Sequence, residues 1–310
     1  MTVPHGSAFF NHCIFSSKSN RKRISGRVAR CLTESLLRSG VMQSFEMLDS
    51  WPVDNVAASV ISDGALKTYG DVDRVFELMS VTKLLATYGF LVALEEGAFE
   101  LDTPLGPESS TLRHLLSHAS GVAFDKPVPE RGVEERRIYS SAGMDIVADA
   151  VAAEAEMPFA EYLNEAVFQP LGMENSELWG SAGHEARSTV ADLSKFGQEL
   201  ISPTLISSET LDEAFRVQFP ELIGTVPGYG MQKPCPWGLG FEIKGEKSPH
   251  WTGKTMPAGT VGHFGQSGTF LWTVPGSGQI GVVLTDRNFG AWAKPLWTSF
   301  NDAVWKELNS

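Results

Sequence analysis

The longest apolar stretch of the chain, Leu84-Leu85-Ala86-Thr87-Tyr88-Gly89-Phe90-Leu91-Val92-Ala93-Leu94, presents no polar face at helical or strand spacing. A helix that is apolar on nearly all sides belongs inside a domain rather than on its surface. Residues 80–96 are therefore expected to form a buried central helix. Upstream, residues 55–62, the dipeptide Asp63-Gly64 and residues 65–69 read as strand, tight turn and returning strand. From Leu101 to about Leu222 the pattern is mainly helical, broken by Pro and Gly, with runs at 145–156, 159–168, 190–201 and 208–215. Strand character returns at 239–243, 260–264, 269–274 and 280–285, the last two joined by Pro275-Gly276-Ser277-Gly278. A helix from about Ala291 to Leu308 closes the chain.

Strands, then helices, then strands predict an α+β fold of the α/β sandwich kind. Its antiparallel sheet is built from both ends of the chain and flanked by helices, with an inserted, mainly helical lobe. Residues 42–100 and 223–310 would form the α/β lobe of a single domain, and residues 101–222 the helical lobe.

With 310 residues and 42% hydrophobic composition the chain can bury a large core. No run of about 18 apolar residues is free of polar breaks, so no transmembrane helix is expected and no membrane partner is assigned. The net charge of −12, with scattered acids, argues against nucleic acid as the partner of the main body. Residues 1–41 differ, carrying Lys18, Arg21, Lys22, Arg23, Arg27, Arg30 and Arg38 against Glu34 alone. Their short apolar segment at 8–15 precedes the basic cluster, the wrong order for a secretory signal. This arm reads as a disordered tail, a targeting segment, or a translated leader upstream of a start at Met42 or Met47. The last is the expectation, because fold-like patterning begins near Trp51 and the arm has little apolar surface with which to order itself. Cys13, Cys31 and Cys235 make an odd count, which indicates no disulfide framework and fits a reducing cytoplasm.

Candidate chemistry starts at Ser80-Val81-Thr82-Lys83, where the apolar helix begins. Residues i and i+3 share a helix face, so the Lys83 amine can reach the Ser80 hydroxyl and help remove its proton. Spacing alone is weak evidence, because Ser19-Asn20-Arg21-Lys22 fits the same pattern inside a polar basic stretch without helical periodicity. Two further segments qualify: Ile138–Met144, with Tyr139 at a helix entry, and the glycine-dense Val261–Gly268, where backbone can approach a ligand closely. His114 and His118 lie four apart, but Leu115 replaces the glutamate of H-E-x-x-H, so both read as structural and neither metal nor cofactor is assigned. No serine has glycine at both second neighbours, which removes the α/β-hydrolase elbow. Among the late tryptophans, Trp251 is the candidate for lining an apolar substrate pocket, because it stands in the irregular stretch 249–253.

The order of these motifs resembles the serine β-lactamase and penicillin-binding protein superfamily, and more closely its class C-like esterase branch. The resemblance covers residues from about 50 to 305 and includes Phe76–Lys83, Glu95–Pro104, Leu112–Gly121, Phe168–Met173 and Trp237–Glu242. It implies Ser80 as acylated nucleophile, Lys83 as its proton acceptor or electrostatic activator, and Tyr139 as the group passing the proton to the leaving group. It also implies a cleft between lobes where Ser80, Tyr139 and His263 meet, and an oxyanion hole from the backbone N–H groups of Ser80 and Gln266. His263-Phe264-Gly265 matches the third family motif, so His263, Gly265 and Gln266 are substrate-binding candidates.

Two positions depart from the family. Ser141 stands where the usual Tyr-Ser-Asn carries an amide that binds the acyl-side carbonyl, and His263 stands where β-lactamases carry lysine. An ordinary histidine, with pKa near ~6.5, is mostly neutral at pH 7 and favours uncharged esters over carboxylate-bearing substrates. The expectation is acyl transfer from small-molecule esters or activated amides. β-Lactam or D-Ala-D-Ala hydrolysis is one alternative, and a non-catalytic binding protein on the same scaffold is another.

Overall fold

The structure, a computed structural model, describes residues 42–310. The basic arm, with Cys13 and Cys31, lies outside the described residues.

Eleven strands and eight α-helices are present among the described residues. The strands are β1 (Val56–Ser62), β2 (Ala65–Tyr69), β3 (Phe76–Glu77), β4 (Glu177–Leu178), β5 (Ala186–Ser188), β6 (Gly224–Val226), β7 (Gly230–Gln232), β8 (Glu242–Ile243), β9 (Val261–Gly265), β10 (Thr269–Val274) and β11 (Gln279–Thr285). The helices are α1 (Thr82–Glu95), α2 (Leu112–Leu116), α3 (Ser141–Ala155), α4 (Phe159–Leu163), α5 (Gln169–Leu171), α6 (Val190–Ile201), α7 (Ser208–Phe215) and α8 (Ala293–Leu308). Six strands form one antiparallel sheet in the order β2-β1-β11-β10-β9-β8, so the two ends of the chain pair through β1 and β11. The sequence-based fold class holds.

Period-two geometry explains why the central strands read as continuous apolar runs. Ala57 and Ile61 of β1, Leu271 of β10, and Ile280, Val282 and Leu284 of β11 join the core that contains α1 and the helical segments. Their neighbours Ala58, Val60, Phe270, Trp272 and Val283 face the other way, into a second core with Phe45, Trp51, Trp297 and Phe300. Both faces are buried, so no polar alternation survives. Trp272 pairs across the strands with Gly281, whose missing side chain leaves room for the indole: a Cβ there would sit 2.4 Å from it.

The expected hairpin is present, with Asp63 (φ 50°) and Gly64 (φ 72°) in the left-handed conformations of a type I′ turn. The central helix is also present, and every residue from Thr82 to Ala93 is buried.

Two expected elements differ. Residues 159–168 are α-helical only to Leu163 and continue as a π turn over Asn164–Phe168. The strand expected over 239–243 shrinks to Glu242–Ile243, because the backbone before it bonds to the helical segments instead of the ladder. Leu239 N–H donates to Ala214 O at 2.9 Å and Gly240 N–H to Leu116 O at 2.8 Å. Gly240 is left-handed (φ 71°), and a Cβ there would lie 1.9 Å from Thr87 Oγ1. Among the described residues no helix is long and apolar enough to cross a membrane.

Candidate active site

Ser80 sits not on the α-helix but in the 3-10 turn Met79–Val81 that leads into α1. Met79, just before it, has φ +47°, a costly conformation for a side-chain-bearing residue. The surroundings hold that turn in place. Thr269 Oγ1 donates to Leu78 O at 2.9 Å and Ser267 Oγ to Glu77 O at 2.6 Å. Gly265 permits the approach, since a Cβ there would lie 2.2 Å from Leu78 O. Gln266, an exposed residue, follows directly, and its carbonyl is anchored by Phe289 N–H at 2.7 Å.

One turn into the chain from Ser80, Lys83 is 0% exposed. Its Nζ donates to Gly183 O at 2.6 Å and Ser141 Oγ at 3.0 Å, and lies 3.5 Å from Ser80 Oγ. The same ammonium stands 4.6 Å from the centre of the Tyr139 ring. Burial without a contacting carboxylate lowers its pKa from 10.5 to about 7, with Asp145 pulling weakly the other way. Ser141 thus binds the lysine through its hydroxyl, at the first position of α3.

Tyr139 is held just ahead of that helix. Ser140 caps it, accepting Gly143 N–H at 2.8 Å. The buried guanidinium of Arg137 donates to Cys235 O at 2.7 Å, Gln218 O at 2.8 Å and Ser117 O, which ties the approach to α3 onto three other segments. Burial raises the Tyr139 pKa above its ordinary value, against the opposite pull of a hydrogen bond with Ser80. Tyr139 is therefore a neutral phenol at pH 7.

Aromatic rings frame Tyr139. His118 lies edge-on at 4.9 Å, Trp237 at 5.9 Å, His263 at 5.6 Å, and the half-exposed Phe124 stacks at 5.9 Å. The tautomers of both histidines follow from their partners. His263 Nδ1 is 2.6 Å from Phe264 O, which only accepts, so Nδ1 carries the proton and Nε2 is a bare acceptor. His118 Nδ1 accepts Ser140 N–H at 3.3 Å, so its proton is on Nε2. Burial and the nearby Lys83 charge lower the His263 pKa to about 4 and hold His118 well below its ordinary value.

Ser80, Lys83, Tyr139, Ser141, His263, Gly265 and Gln266 are thus brought to one region. Trp251 is not part of it. It is 1% exposed in the second core, 6.0 Å from Phe264 and Phe270, and its Nε1 donates to Glu242 Oε2 at 2.6 Å. Glu242 also accepts from Lys247 at 2.9 Å and pairs with His250 at 3.1 Å, so the irregular stretch is bound to a buried ion cluster and leaves no ring free to line a pocket. Sequence reasoning missed Gly183, Arg137 and the contact of His118 with Tyr139. The last carried a signal, His118 being three residues before the Gly121 that ends a quoted motif.

A family model described as Beta-lactamase matches residues 53–300. The chain belongs to the beta-lactamase family. Among solved structures, a beta-lactamase from Mycobacterium bovis is 47% identical with a TM-score of 0.85, covering 86% of this chain and 100% of that one. The simvastatin synthase LovD of Aspergillus terreus shares the fold at 16% identity and TM-score 0.68, over 92% and 97% of the two chains. The D-alanyl-D-alanine-carboxypeptidase/endopeptidase AmpH of Escherichia coli is 24% identical over 185 residues, 44% of this chain. The match spans about half the length of that curated relative, 48%. This beta-lactamase-family chain has the fold of the serine hydrolase superfamily that includes beta-lactamases and penicillin-binding proteins.

Proposed function

We propose that the protein is a serine hydrolase that acts on small-molecule carboxylic esters or activated amides through an acyl-enzyme on Ser80. The observation that carries this reading is the Lys83 amine, buried, 3.5 Å from the Ser80 hydroxyl, with a pKa near 7. Near neutrality a substantial fraction of it is an uncharged base. Its other two contacts, Gly183 O and Ser141 Oγ, orient the nitrogen so that the remaining position addresses Ser80.

In acylation Lys83 takes the hydroxyl proton as Ser80 Oγ bonds to the carbonyl carbon, and the carbonyl electrons move to oxygen, facing the N–H groups of Ser80 and Gln266. Collapse expels the alcohol or amine, which receives its proton through the Tyr139 phenol. Water then attacks the ester, with Lys83 and Tyr139 acting in reverse, and frees acid and serine.

Two features favour esters over β-lactams. Ser141 offers a short hydroxyl already engaged by Lys83, and the buried neutral His263 supplies no cation for a substrate carboxylate. The second reading, β-lactam or D-Ala-D-Ala hydrolysis, draws on the printed descriptions of the M. bovis and E. coli relatives. The cytoplasmic setting is also a proposal, resting on the odd cysteine count. Hydrolysis of p-nitrophenyl acetate and butyrate by wild type, lost in Ser80→Ala, is the expected result, with nitrocefin turned over far more slowly. Preferred turnover of nitrocefin would install the second reading, and no turnover of either would favour a binding protein.

A further inference from the structure

We propose that Asp145, acting through Ser181 and Gly183, is a positioning residue for the Lys83 amine. The inference rests on Lys83 being the base at Ser80. Asp145 lies on α3, half-buried, and both its oxygens face Ser181 Oγ, at 2.7 and 3.0 Å. That hydroxyl has one proton, which goes to the carboxylate, so its lone pair is left to accept Gly183 N–H at 3.0 Å. Gly183 in turn presents its carbonyl to Lys83 Nζ at 2.6 Å. The series of hydrogen bonds runs from carboxylate to hydroxyl to glycine to amine without a break.

Three details make this a built arrangement rather than a surface coincidence. Gly183 packs directly on Ser141, and a Cβ would fall 2.6 Å from the serine Cβ, so the carbonyl reaches the lysine only because the residue is glycine. Ser181 N–H is fixed separately by Glu185 at 2.6 Å, so the loop is held from both ends. Ser141 and Asp145 belong to the same helix, so α3 supplies one lysine partner directly and orients the other through the loop.

Charge acts in the same direction. The titratable groups around Lys83 are His118 from the segment after α2, Tyr139 ahead of α3, Asp145 on α3 and His263 on β9, with Arg137, Glu242 and Lys247 acting on the histidines. The two histidines and the phenol are uncharged at pH 7, which leaves Asp145 as the anion favouring the ammonium. Its removal lets Lys83 lose its proton at lower pH while loosening its position.

The test uses the full chain with lysine labelled by carbon-13 at Cε, the Lys83 signal being assigned by its loss in Lys83→Arg. In Asp145→Asn, with near-UV circular dichroism preserved, the Lys83 titration midpoint should fall by roughly half a pH unit. Ser181→Ala keeps the charge and frees Gly183, so its midpoint should stay close to wild type while the Lys83 signal shifts and broadens. Fluorophosphonate labelling of Ser80 should slow by about tenfold in Ser181→Ala. An Asp145→Asn midpoint equal to wild type, or a Ser181→Ala Lys83 signal unchanged in position and width, would overturn the inference. The NMR readout needs no turnover: a wild type inert to fluorophosphonate would defeat the hydrolase reading, and the titration would still decide this one.

Discussion

Lys83 combines full burial with a partly retained charge, and that combination costs stability. Lowering its pKa from 10.5 to about 7 corresponds to roughly 4–5 kcal/mol at pH values where folded and unfolded states are both protonated. Removing the amine also strips donors from Gly183 O and Ser141 Oγ, at about 1 kcal/mol each. Lys83→Met should therefore abolish ester hydrolysis yet stabilise the fold by about 2–3 kcal/mol at pH 6 in urea unfolding, with that gain gone by about pH 9.5. A destabilised variant at pH 6 would contradict this account of the site. Phe124, 51% exposed and stacked on Tyr139, is an apolar platform at the mouth of the site. Phe124→Ala should raise KM for p-nitrophenyl butyrate about fivefold with less effect on acetate; equal effects on both would mean that the ring does not meet the acyl chain. Ser80, Lys83 and Tyr139 were legible because their meaning lies in local spacing and in motif wording. Asp145 and Gly183 were not, because they act through a loop whose closure onto α3 no local pattern encodes.

At the scale of elements, the site is made by one close approach: β9 against the 3-10 turn carrying Ser80. Gly265 is the contact that allows it, with Leu78 O and Thr269 Oγ1 at 2.2 and 2.5 Å from where a Cβ would go. Neither neighbour is the free end of a long side chain, so Gly265→Ala has to displace the turn. We expect a loss of about 2–4 kcal/mol in stability and on the order of 10² in kcat for ester hydrolysis, with the remaining enzyme still labelled at Ser80. An unimpaired variant would show that the approach of β9 does not matter. The central helix and both hairpin strands could be read from the chain because burial and turn chemistry agree there. The strand at 239–243 could not, since its apolar residues serve contacts to Ala214 and Leu116 that are distant in sequence. Trp251 was misread for a related reason. Irregular sequence suggests an open loop, whereas here the loop is closed on buried Glu242, a partner eight to nine residues upstream whose charge gives no local sign of where it points.

Across the described residues, the buried histidines, Glu242 and Lys83 make stability depend on pH in one direction below about pH 9. His118 and His263 have folded pKa values below 6.5, so the unfolded chain binds more protons between about 4 and 6.5. Glu242 is depressed below 4.5, so its contribution is lost only as pH falls below that value. Lys83 extends the trend, because between about 7 and 10.5 the unfolded chain holds a proton that the folded one has released. Each group therefore makes stability rise with pH. Unfolding free energy should climb from pH 5 to 9, with a slope of up to about 1.4 kcal/mol per pH unit above pH 7.5, absent in Lys83→Met. A flat profile above pH 7 would mean that Lys83 keeps its ordinary titration. Catalysis should follow the same ionisation, since the base form of Lys83 gains population as stability rises.

The central claim is that Ser80 is a nucleophile activated by an amine that titrates near neutrality. Its most direct test is intact-protein mass spectrometry of fluorophosphonate labelling from pH 5 to 9, with the adduct mapped by peptide. The account predicts a single adduct on Ser80, absent in Ser80→Ala, forming at a rate that rises through pH 7. Labelling of another residue, no labelling, or a rate independent of pH across that range would contradict it.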